Sequence, residues 1–392
     1  MQPETTPNIA APKLRLDALT SMRFVAAVMV VVFHVCSGEA FFAAVPLLLH
    51  SVIDCGYVWV GFFFVLSGFI LSYQYFDRIR EGRFSKRDFW VARFARIYPG
   101  HVVGFVLVLG LLLVKSWDWD FALPPGGAVV TYADVGATLA LVHSWVPSFA
   151  LTFNFPSWSI STEFFFYLCF PALAGVVVHW PLGRVIAFGV GTYAAAVVTN
   201  LVYCALDPYG WIPNDWAHDA SRNFIKFFPL VRLPEFVMGV VAGRIFAERE
   251  RIGLTAAVGV RLIACGTLAV LFGLAFGNRV PFALMHNVAL SVPFVILVLG
   301  LALAPSSAGA KALSHRYLVA LGEASYSVYI LQAVVIWWLI TSDDLRKSTD
   351  LAVAIPARVA VVLGVVLLAL VSHRYLELPA RERIRRLGAA GM

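Results

Sequence analysis

Apolar runs of span length alternate along the chain with short polar joints. Ten runs read as membrane-crossing helices: 18–37, 57–76, 91–114, 158–179, 184–205, 223–246, 257–277, 284–304, 317–340 and 352–374. About 20 apolar residues in a helix cover the hydrocarbon thickness of a bilayer. An eleventh apolar stretch, 128–146, holds Asp134 and His143. The pattern predicts an all-α polytopic membrane protein of about ten transmembrane helices. Residues 16–380 read as one membrane domain, between a flexible tail (1–15) and a basic tail (381–392). No polar stretch is long enough to bury a core of its own.

The joints carry a sign. Asp77 to Arg96 contains seven Lys/Arg, and Arg244 to Arg251, Lys311 to Arg316 and Arg381 to Arg386 are also basic. The positive-inside rule places them in the cytoplasm. Residues 206–222 (Asp207, Asp215, Asp219) and 341–350 (Asp343, Asp344, Asp350) are acidic and fall outside. Counting from the two ends agrees only if 128–146 does not cross. That stretch is expected to be a re-entrant or interfacial helix on the outer side, with both termini cytoplasmic and the chain in the cytoplasmic (inner) membrane. Pro99, Gly100, Pro171, Pro229, Pro234 and Pro293 suggest backbone breaks around a cavity.

Composition agrees, at 60% hydrophobic and 14% charged. A net charge of +7 could suit nucleic acid. Its confinement to joints between spans points to lipid instead, and no nucleic-acid partner is expected. The five cysteines (36, 55, 169, 204, 265) have no metal-ligand spacing and read as small buried residues, so no metal is expected.

Within the spans a few polar residues stand out, and ionisable groups there are functional candidates by default. Arg23 and His34 share the first span. Eleven residues make about three turns, so the two side chains lie on one face, about 16 Å apart along the axis. One is a permanent cation and the other can move a proton near neutral pH. Arg93 and Arg96, three apart, can present two guanidinium forks to phosphate oxygens, or serve as ordinary inside-positive anchors. Trp158, Ser159, Ser161 and Glu163 enter the fourth span from outside, where capping and acceptor binding are both open. Ser67 and Gly68 permit close helix approach. Arg232 and Glu235 form either a structural ion pair or a substrate contact.

In order along the chain, these motifs resemble the integral-membrane acyltransferase-3 family. Arg23 ahead of His34, FFVLSGF over 63–69, RFARIYP over 93–99, WSISTE over 158–163 and SYSVYILQ over 325–332 carry the resemblance, which extends from about Leu16 to Arg381. Many members have histidine where this chain has Gln332, so no acid–base role is assigned to that position. The resemblance implies ten spans and transfer of an acyl group, usually acetyl, from cytoplasmic acyl-CoA. The acceptor would be a hydroxyl of a surface polysaccharide or lipid-linked glycan. His34 would be the general base, with direct transfer and an acyl-His step both open, and Glu163 would orient it or bind the acceptor. Arg23, Arg93, Arg96 and Ser67 would hold the donor. Trp158, Ser159, Ser161, Arg232 and Glu235 would serve the acceptor, with Trp158 at its outer entrance. A proton-coupled transporter, with His34 as relay, and a non-catalytic glycan-assembly subunit are the competing readings.

Overall fold

The computed structural model describes residues 14–36, 45–116, 131–212, 219–339 and 350–390. Residues 1–13, 128–130, Asp215, Asp343 and Asp344, which entered the expectations above, lie outside the described residues. The described residues form helices joined by turns and loops, with no β-strand among them. In chain order the helices are α1 Asp17–Cys36, α2 Leu47–Asp54, α3 Trp59–Arg80, α4 Lys86–Ser116, α5 Tyr132–Leu139 and α6 Trp158–Val177. There follow α7 Leu182–Leu206, α8 Ala220–Phe227, α9 Pro229–Ala247, α10 Ala256–Phe276, α11 Phe282–Asn287 and α12 Ser291–Leu303. The last are α13 Ala308–Leu313, α14 Arg316–Glu323, α15 Ser325–Leu339, α16 Leu351–Ser372 and α17 Leu378–Ala390.

Among the described residues eight helical stretches are long and apolar enough to cross a membrane, and nine if the pair α14–α15, bent by 61°, is one span. The run expected at 223–246 is divided at Phe228 between α8 and α9, and α9 carries Arg232, Glu235 and Arg244 within its 19 residues. All three are buried, so these charges face protein. The stretch after 128 does not cross: α5 has eight residues, about 12 Å of helix. Its Asp134 is one half of a capping box. Thr131 Oγ1 accepts from Asp134 N at 3.3 Å, and Asp134 Oδ2 accepts from Thr131 N at 2.7 Å.

The expected breaks need correction. Pro99, Pro171 and Pro234 lie inside unbroken helices. Pro293 is in the first turn of α12, where a missing N–H costs little. Pro229 does coincide with a break, since it starts α9 and holds Phe228 in extended geometry (φ −66°, ψ 129°). The sharp bend at 324 has no proline at all.

The core is laid around α3 and α9, which touch backbone to backbone. A Cβ added at Gly68 would lie 2.1 Å from Phe236 O, and one at Gly239 only 1.9 Å from Val65 O. The basic tail is also ordered. α16 continues through a π-helical turn, His373–Glu377, into α17. His373 Nδ1 and Glu377 Oε2, 2.6 Å apart, close that turn. α17 lies along the start of α4, where Arg87 Nη2 donates to Gly388 O at 3.3 Å.

Candidate active site

A cavity of about 1030 Å³ opens at the basic end of the bundle. Arg23, Ser67, Arg93, Arg96, Ser159 and Glu163 all line it, so six sequence candidates from four helices converge on one space. Arg93 is 8% exposed, and its Nε has no hydrogen-bond partner. Its guanidinium lies 5.9 Å from the Tyr75 and Phe89 ring centres and 6.0 Å from that of Tyr167. Among the described residues, no carboxylate pairs within 4 Å of Arg23, Arg93 or Arg96. Glu163 Oε1 accepts from Tyr167 Oη at 2.6 Å and from Ser67 Oγ at 3.1 Å. The carboxylate is thus held one turn from Tyr167 and hydrogen-bonded across to α3. Adjacent residues of the FFVLSGF motif divide the work: Ser67 faces the cavity and Gly68 sets the α3–α9 spacing.

His34 does not line this cavity, and its hydrogen bond goes to Gln332, not Glu163. Its Nδ1 lies 3.0 Å from Gln332 Oε1. Gln332 Nε2 donates to Tyr329 O at 2.8 Å, which leaves Oε1 as the group facing the imidazole. An acceptor there requires Nδ1 to carry the proton, and Nε2 keeps its lone pair. The His34 ring packs against Phe33 and Phe155, each at 4.7 Å between centres. Tyr329 does line the cavity, so Gln332 stands one helical turn beyond it.

The remaining candidates are structural in their contacts. Trp158, expected at an outer entrance, is 6% exposed, because the first turn of α6 faces the bundle. It packs on Phe227 at 4.7 Å, with the Arg232 guanidinium 5.8 Å from its ring centre. Arg232 is fully buried, and every partner is internal. Its Nε lies 3.0 Å from Glu235 Oε2, and its Nη1 donates to His286 and to Asn287 Oδ1. Asn287 in turn donates to Asn200 Oδ1 at 2.7 Å and Ile225 O at 2.9 Å, tying α7, α8, α9 and α11 together. The structural alternative therefore accounts for this pair.

Ser161 is hydrogen-bonded to the segment that precedes α6. It donates to Leu141 O at 2.7 Å, while Leu141 adopts φ 58° in the left-handed region. His143 Nε2 lies 3.1 Å from Ser157 Oγ, and His101 Nε2 donates to Thr138 O at 2.9 Å. These bonds stitch 131–157 to α4 and α6. Ser159 donates to Tyr329 Oη at 2.8 Å, and Tyr329 Oη donates to Pro156 O at 3.1 Å. The WSISTE and SYSVYILQ motifs are thus two halves of one helix contact.

A family model described as an acyltransferase domain matches residues 16–374. The chain belongs to the acyltransferase-3 family. It is an integral membrane acyltransferase, as the motif order implied. It is 32% identical over 333 residues to acyltransferase MdmB of Streptomyces mycarofaciens, covering 82% of this chain and 79% of that protein. It is 23% identical over 355 residues to O-acetyltransferase OatA of Staphylococcus aureus, covering 87% of this chain but only 56% of that protein. A Rhizobium radiobacter protein named for its place as protein 2 in the picA locus is 36% identical over 170 residues, 39% of this chain and 79% of its own length. No solved structure gives a significant match.

For an acyltransferase-3 member, the informative residues that sequence reasoning missed are Gln332, Tyr167, Arg381 and Arg385. Gln332 lies three residues after Tyr329 on the same helix face. That spacing was visible, but its partner was 298 residues away. Arg381 and Arg385 looked like anchors in a tail, and both line the cavity.

Proposed function

We propose that the chain moves an acyl group, acetyl in the first instance, from acyl-CoA to a hydroxyl of a surface polysaccharide or lipid-linked glycan. The proposal places it in the cytoplasmic membrane with the basic end and both termini in the cytoplasm, as the positive-inside rule favours. The observation that carries it is the cavity at that end, whose guanidinium groups at Arg23, Arg93 and Arg96 have no carboxylate within ion-pair distance among the described residues. Such a lining fits the phosphates of an acyl-CoA. The name of the S. aureus relative, O-acetyltransferase, favours an oxygen acceptor and an acetyl group.

Acyl-CoA would supply an activated thioester carbonyl. Arg93 and Arg96 hold its phosphates near the inner surface, with Arg23 behind them and the Ser67–Glu163 pair along the wall. His34 Nε2, opposite its Gln332 bond, takes the proton of the acceptor hydroxyl as that oxygen bonds to the carbonyl carbon. The C–S bond breaks, and the proton passes from His34 to the departing thiolate. His34 lies about 16 Å along α1 from Arg23, a distance suited to an extended pantetheine arm.

The test is transfer of label from radiolabelled acetyl-CoA to a glycan fraction in membranes carrying the chain. Label should appear with the native chain and not with His34→Ala. Equal labelling by the two would overturn the mechanism. A chain that transports a glycan or proton without releasing CoA would overturn the activity.

A further inference from the structure

α17 is docked antiparallel on the first half of α4. At one end a Cβ on Gly100 would lie 3.2 Å from Glu377 Oε1; at the other, a Cβ on Gly388 would lie 2.6 Å from Val91 Cγ1. Between those two points α4 carries Arg93 and Arg96, and α17 carries Arg381 and Arg385, which at i,i+4 share a face. All four line the cavity.

Among the described residues none of the four arginines has a carboxylate within ion-pair distance. The electrostatic neighbours of Arg381 are Arg96, Arg385 and Arg93, set against Glu377 alone. Glu377 is not within ion-pair distance of Arg381, and its Oε2 is bonded to His373. The Nε atoms of both Arg93 and Arg381 are buried without a hydrogen-bond partner. Elsewhere at the mouth, Arg15 is paired with Asp17 at 3.3 Å, and Arg83 is paired with Glu81. Cations this crowded repel one another unless an anion sits among them.

Exposure orders them. Arg93 is buried, Arg96 and Arg381 are half-buried, and Arg385 is exposed. A donor threaded with its thioester inward would meet the α4 pair with its diphosphate, leaving the nucleotide end at the mouth. We infer that Arg381 and Arg385 form a distinct phosphomonoester site, which recognises the 3′-phosphate of the CoA nucleotide. The inference rests on the donor reading above and adds a role for the C-terminal helix. A phosphomonoester carries close to two negative charges at neutral pH, and two guanidinium groups match it in charge and donor geometry.

The test uses the purified full chain in non-ionic detergent free of anionic lipid. Equilibrium binding is measured for CoA and for dephospho-CoA, which lacks only the 3′-phosphate. The native chain should prefer CoA by about tenfold or more. Arg381→Gln with Arg385→Gln should cut that preference to about twofold or less while dephospho-CoA binds as before, a pattern that simple misfolding cannot produce. Arg385→Gln alone, at an exposed position, should show a partial loss. If the native chain binds both ligands equally, or if the double variant keeps the preference, the site is wrong while the donor reading stands. If the native chain binds neither ligand, the donor reading falls and this site with it. The other phosphate source is a lipid headgroup. Protection by added phosphatidic acid that CoA cannot displace would assign the pair to lipid and overturn the inference.

Discussion

His34 Nδ1 lies 3.0 Å from Gln332 Oε1, joining α1 to α15 across 298 residues of sequence. The amide cannot rotate freely, because its nitrogen is committed to the Tyr329 carbonyl. A residue without acid–base chemistry therefore selects the tautomer of one that has it. Gln332→Leu should lower kcat by about tenfold or more and leave the donor KM unchanged, since only the base is mis-set. Gln332→Glu keeps an acceptor toward Nδ1 and should recover part of the rate. Steady-state kinetics on both variants would show it, and a native kcat for Gln332→Leu would remove Gln332 from the mechanism.

His34→Ala should reduce transfer by about a hundredfold or more, the scale of general-base catalysis, while the protein inserts and folds normally. The ring packs on Phe33 and Phe155 and its Nδ1 partner, Gln332, is neutral, so its loss strands no ion at that bond. Activity and thermal unfolding measured on one preparation separate the two effects.

Arg93→Gln with Arg96→Gln should weaken CoA binding by about tenfold or more, as expected for lost charge-assisted hydrogen bonds. Binding to the native chain should also weaken as salt is raised, and less steeply in the variant. A variant whose CoA affinity and salt slope match the native chain would contradict a phosphate role.

Gly239→Val should fail to fold or be strongly destabilised, because its Cβ site lies 1.9 Å from the Val65 carbonyl oxygen. Backbone cannot yield as a flexible side chain does, so the cost should exceed the usual overpacking range of about 1–3 kcal/mol. Size-exclusion profiles after detergent extraction would read this directly. By contrast Gly136 has open space around it, and Gly136→Ala should be tolerated.

Ser161→Ala should loosen the outer segment 131–157 without touching the donor cavity. It removes the bond to Leu141 O and the contact with Ser144 Oγ at 2.7 Å, leaving a buried carbonyl unsatisfied at about 1–3 kcal/mol. Hydrogen exchange over that segment should rise while CoA affinity stays native. Unchanged exchange would mean that the remaining bonds, among them His101 to Thr138 O, Asn154 to Ile330 O and Asn223 to Pro147 O, suffice to hold it.

Much of the cavity lining was legible in the sequence. Arg23, Arg93 and Arg96 stood out because a cation in an apolar run has few uses, and cavity lining is one of them. The residues expected to serve an acceptor were less legible. Trp158, Ser161, Arg232 and Glu235 are polar or amphipathic residues in membrane helices, as a ligand site requires, but a buried packing network requires the same residue types. Arg232 could be assigned to the network only once His286, Asn287 and Glu235 were seen around it. Glu163 was read as orienting His34 or binding the acceptor, and its hydrogen bonds run to Tyr167 and Ser67.

By itself the sequence determined what depends on local chemistry. It set the helical, membrane-spanning character, because each apolar run must satisfy its own backbone in lipid. It set the basic end, and the shared face of Arg23 and His34, because both follow from helical spacing. Only the tertiary structure decided which side chains meet. The pairing of His34 with Gln332, the closing of α17 over the α4 arginines and the burial of Trp158 all join positions far apart in the chain. Their partners are chosen by how the helices pack, through close approaches such as Gly68 to Phe236 and Gly239 to Val65, and helical periodicity carries no information about that choice.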